Sequence, residues 1–114
     1  MRMWKVPTKY LCRKHLLGEH VEHHMFIGTH AKKVRLNGYI DKGLLDTTYL
    51  SQRHAELVEE MTSRGYNHRS PIDEDVCESI KVQYHNYPSA LDIDANVQEL
   101  IRRCPECAAR ISGS

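Results

Sequence analysis

Leu50-Ser51-Gln52-Arg53-His54-Ala55-Glu56-Leu57-Val58-Glu59-Glu60-Met61-Thr62-Ser63-Arg64-Gly65 is the stretch that decides the fold. Leu50, His54, Leu57, Val58 and Met61 recur at helical spacing and mark one apolar stripe. Arg53, Glu56, Glu59, Glu60 and Arg64 occupy the opposite, wet side. Gly65 follows as a C-terminal stop, because glycine alone enters the left-handed region without a Cβ penalty. A helix is the reading of this segment, and the segments on either side repeat the pattern.

Upstream, Pro7-Thr8 reads as a helix start, with Thr8 able to cap free amides. The pattern runs from there to Gly28 or Lys33, with Leu17, Val21 and Met25 at i, i+4 and i+8 on one face. Asn37-Gly38 is a turn signal, and residues 39–46 read as irregular around Gly43. Downstream, Ser70-Pro71 to Pro88 reads as a long connection holding an acidic cluster, Asp73, Glu74 and Asp75. Only Ser79–Tyr84 alternates as a strand would. Asp92 or Asp94 caps a third helix that carries Val97, Leu100, Ile101 and Cys104 on one side. The expectation is an all-α fold: one domain over residues 1–114, built of three main helices with irregular connections.

Composition limits what such a domain does. The chain has 114 residues and a net charge of +1, enough for one compact core without disulfides. No apolar run approaches bilayer length and the start has no apolar leader, so a soluble, intracellular protein is expected. The four cysteines, Cys12, Cys77, Cys104 and Cys107, then read as thiols or metal ligands rather than a disulfide framework. The small net charge hides a gradient of +6 over residues 1–35, −1 over 36–70 and −4 over 71–114. Five of the eight histidines fall in the first of these segments. A basic end can attract a polyanion while an acidic remainder holds the total near neutral.

Four groups of residues could carry chemistry. The first pairs the chain terminus with a carboxylate. An α-amine titrates near ~7.7–8, well below lysine, so it is partly a free nucleophile at neutral pH. Removal of an initiating methionine needs a small second residue, and Arg2 is large, so the amine is expected to stay on Met1. Such an amine can attack a sugar C1′, expel the base and leave an imine that permits strand cleavage by β-elimination, given a carboxylate to manage charge and protons. Glu22 is the candidate, with Glu19 three residues earlier on the same side; a solvated surface glutamate is the plain alternative.

The second group is His20, His23 and His24. Neither H-E-x-x-H nor H-x-x-E-H is present. His20 and His24 lie one turn apart and could share an ion, or could belong to a polar surface. The third is Cys104-Pro105-Glu106-Cys107, half of a zinc ribbon, to be completed by Cys12, Cys77 or a histidine. Cys104 also falls on the apolar face of the third helix, and buried packing thiols without metal are the expectation. Trp4 beside Arg2 is the fourth. It can wedge against an unpaired base or simply pack in the core.

Together these residues resemble the pyrimidine-dimer DNA glycosylase/AP lyase family first known from T-even phages. His15-Leu16, Glu19, Glu22, Gly28, Asn37-Gly38, Arg53, Glu56-Leu57, Glu60 and Arg64-Gly65-Tyr66-Asn67 carry the likeness, in order, over residues 1 to about 70. A looser echo runs from Tyr87-Pro88 to Pro105, and the Met-Arg-Met-Trp start looks like the short phage and bacterial members. The resemblance implies a mostly helical enzyme whose nucleophile is the Met1 amine and whose catalytic glutamate is Glu22. It implies that Arg2 follows the nucleophile into the DNA and that His15 stands near the scissile sugar. Lys14 and Trp4 complete the DNA-binding set. Base flipping is implied as well.

Departures from the family pattern are specific. Basic first-helix positions are Val21 and Met25 here, basic third-helix positions fall near Asn96 and Leu100, and the aromatic-rich tail is replaced by Cys104–Ile111. The expected function is therefore a monomeric DNA repair enzyme, a glycosylase with AP lyase activity on double-stranded DNA bearing a damaged or modified base. It would need no cofactor and no metal, would not engage membranes, and would act in the cytoplasm, that of the host if phage-encoded. The alternative is a non-catalytic DNA-binding or interaction module on the same scaffold, zinc-stapled through Cys104 and Cys107.

Overall fold

The computed structural model describes residues 1–67 and 70–113. Six helices follow in order: α1 Arg13–Ala31, α2 Asn37–Asp41, α3 Leu50–Ser63, α4 Glu74–Gln83, α5 Ile93–Arg103 and α6 Pro105–Ser112, with single 3₁₀ turns at Thr8–Tyr10 and Thr47–Tyr49. No strand occurs among the described residues, and the all-α expectation holds. None of their helices is long and apolar enough to cross a membrane.

The three expected helices correspond to α1, α3 and α5, and the details correct the reading around them. Residues 70–88 are not simply a connection, since they contain α4. Asp73 caps it by accepting the amides of Asp75 and Val76, and Cys77, Ile80 and Tyr84 are its buried residues or follow directly on them. The apparent alternation over 79–84 arose because Val82, one of its apolar members, is exposed. Asn37-Gly38 opens α2 rather than forming a turn, and the preceding reversal falls on Lys33 at φ 63°. The α1 cap is Cys12, not Thr8, whose hydroxyl instead donates to Glu60 at 3.2 Å. Gly65 does end α3 in the left-handed region, at φ 83°. Gly43, at φ 72°, meets the Ala90 carbonyl so closely that a Cβ there would lie 2.9 Å from its oxygen.

α1 packs against α3 and α4, while α5 and α6 pair and close over the Thr8–Tyr10 turn. Two apolar clusters result. Met3, Phe26, Leu36, Ile40, Leu45, Leu50 and Ile80 build one; Trp4, Val6, Leu11, Leu16, Leu57, Met61 and Leu100 build the other. The first six residues thus contribute to both, Met3 to one and Trp4 and Val6 to the other. A hydrogen bond donated by the Met3 amide to the Leu44 carbonyl at 2.7 Å ties this segment down. Lys5, held at φ 57°, pairs with Asp46 at 2.7 Å.

The buried face of α1 is not the one its apolar residues mark. Val21 and Met25 are 55% and 49% exposed, whereas Glu19, His20 and His23 face inward with Leu16, Phe26 and Ile27. Arg53, which the α3 pattern places on the wet side, is 1% exposed. The physical reason is a bidentate ion pair. Arg53 Nε and Nη2 donate to the two oxygens of Glu19 at 2.6 and 3.0 Å, and Nη1 donates to the Val6 carbonyl at 2.7 Å. Buried charges persist where they are paired and fully hydrogen-bonded, and this pair holds α1, α3 and the N-terminal segment at one point.

Candidate active site

The N-terminal segment and α1 put the terminal amine within electrostatic reach of Glu22. Glu22 lies on the edge of the buried face of α1, half-buried. Burial pushes its carboxyl pKa upward, against the pull of the terminal amine and of a hydrogen bond from the Arg2 backbone. The amine and this carboxylate therefore share one small, partly desolvated region. Glu19, its expected companion, points to the other side of the same helix edge into the Arg53 pair and belongs to the scaffold.

Arg2 is fixed from two directions. Its guanidinium lies 3.8 Å above the Trp4 ring, and Nη2 donates to Asn96 Oδ1 at 2.7 Å. Asn96 returns a hydrogen bond to the backbone, Nδ2 to the Trp4 carbonyl at 2.8 Å. Asn96 is buried on α5, and nothing in its spacing in the sequence marked it; only the tertiary contact shows that it clamps the chain start. An open depression of about 330 Å³ adjoins Arg2, bordered by Lys42, Leu44, Asp92, Asn96 and Glu99. A groove of about 460 Å³ elsewhere is lined by Glu56, Glu59 and Glu60. That groove sets three carboxylates against Lys9, whereas the depression sets Asp92 and Glu99 against Arg2 and Lys42, so the Arg2 side is the less repulsive of the two to a polyanion.

The remaining predicted residues fall differently. Trp4 is 4% exposed, which favours core packing over the wedge: a ring that must enter a base stack has to be accessible, and this one is covered by Arg2 on one side and reached by Arg103 at 5.4 Å. It is a platform for the cations. Lys14 is exposed on the first turn of α1. His15 is half-buried with its ring edge-on to Trp4 at 5.9 Å between centroids. Its Nδ1 faces the Cys12 and Cys107 sulfurs, and burial, with Lys14 and Arg103 adding repulsion, lowers its pKa.

Among the described residues, two groups of side chains have ligating atoms gathered within 4.8 Å of one another: Cys12, His15, Cys104 and Cys107, and His20, His24 and His54. The imidazoles of the second group pack with centroids 5.0 to 5.4 Å apart, His24 edge-on to both His20 and His54, and His20 tilted against His54. The sequence pairs His20 with His24; His54 joins them from α3.

A family model for pyrimidine dimer DNA glycosylase matches residues 1–74. The chain belongs to that family. The match takes in Met1, Arg2, Glu22 and the Glu19–Arg53 pair, and stops at the start of α4, so the family's segment holds the whole amine–carboxylate site. Searches of curated proteins and of solved structures returned no match. Membership makes DNA the substrate and glycosidic bond cleavage in DNA repair the family activity.

Proposed function

We propose that the chain is a bifunctional DNA glycosylase/AP lyase that uses the Met1 amine as its nucleophile. What supports this reading is that the terminal amine lies within electrostatic reach of Glu22, a half-buried carboxyl that accepts a hydrogen bond from the Arg2 backbone, on a segment anchored by Met3, Trp4 and Val6 in the core. The amine attacks C1′ of the damaged nucleotide, the N-glycosidic bond breaks, and the base leaves with its electron pair and a proton. The opened sugar becomes an imine with the Met1 nitrogen. Loss of a C2′ proton then expels the 3′-phosphate by β-elimination, and water releases the sugar fragment. Glu22, ionised, stabilises positive charge on the sugar and then accepts protons. Arg2, braced by Trp4 and Asn96, holds a phosphate or the gap left when the nucleotide flips out.

Borohydride reduction of a reaction on abasic duplex DNA tests this. The expected product is a covalent adduct mapping to the amine of Met1 by tryptic mass spectrometry, and absent when that amine is acetylated. Attachment to a lysine side chain would reject the assignment. Tight binding with no adduct at all would favour the non-catalytic DNA-binding module.

A further inference from the structure

The four cysteines do not share one fate. Cys77 is buried in the apolar cluster beneath α4. Cys12, Cys104 and Cys107 converge on His15, although about ninety positions of sequence separate the two pairs. Each pair has an i, i+3 spacing across a helix start: Cys12 caps α1 with His15 in its first turn, and Cys104 caps α6 with Cys107 in its first turn, Pro105 setting the entry. That spacing aims both ligands of a pair to the same side.

The separations are those of a shared ion. Cys12 Sγ lies 3.2 Å from His15 Nδ1 and 3.9 Å from Cys104 Sγ, and Cys107 Sγ lies 3.5 Å from His15 Nδ1. A tetrahedral zinc with bonds of ~2.3 Å to sulfur and ~2.0 Å to nitrogen requires ligand–ligand edges of roughly 3.5 to 3.8 Å. A backbone amide also points at each sulfur: His15 to Cys12 at 3.5 Å, Cys107 to Cys104 at 3.4 Å, and Cys12 to Cys107 at 3.2 Å. Three thiolates around a divalent ion leave one negative charge, with Lys14 and Arg103 beside the group to offset it and Glu106 opposing.

We propose that Cys12, His15, Cys104 and Cys107 form a structural Cys₃His zinc site that staples α6 to the start of α1. With four protein ligands the ion has no open position, so its role is structural rather than chemical. The site lies apart from Met1 and Glu22 but reaches them mechanically: His15 abuts Trp4, and Trp4 carries Arg2. Half of the ligand set, Cys104 and Cys107, lies outside the segment matched by the family model.

The test uses the full chain, purified under reducing conditions without added metal, and needs no DNA, so it stands or falls separately from the glycosylase reading. Native mass spectrometry should show one zinc per chain, removed by chelator with a lower unfolding temperature and restored by zinc alone. Cobalt(II) added to the chelated protein should give the intense visible bands of a tetrahedral thiolate site. Cys107→Ser and His15→Ala should lose the ion, His15→Cys should keep it, and Cys77→Ser should not change the stoichiometry. Should the ligand variants fail to fold, the cobalt titration of the wild-type chain still decides. Metal-free protein of undiminished stability that yields no tetrahedral cobalt spectrum would overturn the proposal, as would a Cys12–Cys104 disulfide persisting in that reduced preparation.

Discussion

Arg2 stacks on Trp4 at 3.8 Å, and both are tied to one side chain of α5, Asn96, which accepts from the Arg2 guanidinium and donates to the Trp4 carbonyl. The start of the chain is thus held by a residue ninety-four positions away. Asn96→Leu keeps the branched outline without the polar atoms and strands the Trp4 carbonyl, which should cost about 1–3 kcal/mol in urea unfolding. Freed of its clamp, Arg2 should also raise KM for DNA. Unchanged stability and KM would show that the clamp is idle.

Glu22 and Glu19 lie three residues apart and should fail in different ways. Glu22→Gln should leave folding and duplex binding intact while incision falls by orders of magnitude. Since the raised pKa of Glu22 belongs to a group that acts ionised, wild-type activity should decline on acidification from above the ordinary carboxylate range. Glu19→Gln removes the buried counter-charge of the Arg53 guanidinium and leaves it only the more exposed Glu56 at 3.2 Å, at a cost of about 3–5 kcal/mol. Urea melts alongside single-turnover incision separate the two; equal activity losses at equal stability would contradict the division.

His23 is buried, donates from Nδ1 to the Glu19 carbonyl at 2.9 Å, and has its pKa lowered to about 4 by burial and by the nearby charges of Arg53 and His24. The folded-state value lies below the unfolded one, so the native chain resists the proton that the unfolded chain takes up. Its contribution is complete above about pH 6.5 and is lost as pH falls toward about 4, a change on the order of 3 kcal/mol. Unfolding free energies measured from pH 7 to 4 should follow that slope, and His23→Leu should flatten it.

With the basic charge concentrated in residues 1–35, few phosphates are neutralised on binding. Log affinity for duplex DNA should fall against log salt with a slope of roughly −3 to −5, and Arg2→Ala should reduce it by about one unit. Titration by fluorescence anisotropy over a salt series measures both, and a flat salt series would leave electrostatic contact with the duplex unsupported.

Helix α3 and the caps at Asp92 and Gly65 were legible because local pattern and tertiary burial agree there. In α1 they disagree. Its inward face carries a glutamate and histidines whose burial depends on Arg53, thirty-four residues further on, and periodicity counts such residues as wet. The Met1–Glu22 pairing was legible through amine and carboxylate chemistry, strengthened by the family likeness; no spacing rule brings a chain terminus back to a helix. Asn96, and the convergence of Cys12 and His15 on Cys104 and Cys107, required the fold itself. Cys104-x-x-Cys107 offered half a signal; its partner, Cys12-x-x-His15, was present but read as part of a helix.

The inverted face of α1 also determines where the helix aims. Were α1 to turn about its axis until the exposed Val21 and Met25 met the core, the rotation would be nearly half a turn at about 100° per residue. Glu22 would then be carried from one edge of the interface with α3 to the other, away from the terminal amine. The Glu19–Arg53 pair stands against that rotation, because the turned helix would leave a buried guanidinium facing Val21. Hydrophobicity alone would choose the wrong orientation, and the polar contact acts as the key that sets the angle of the helix and, with it, the bearing of the carboxylate.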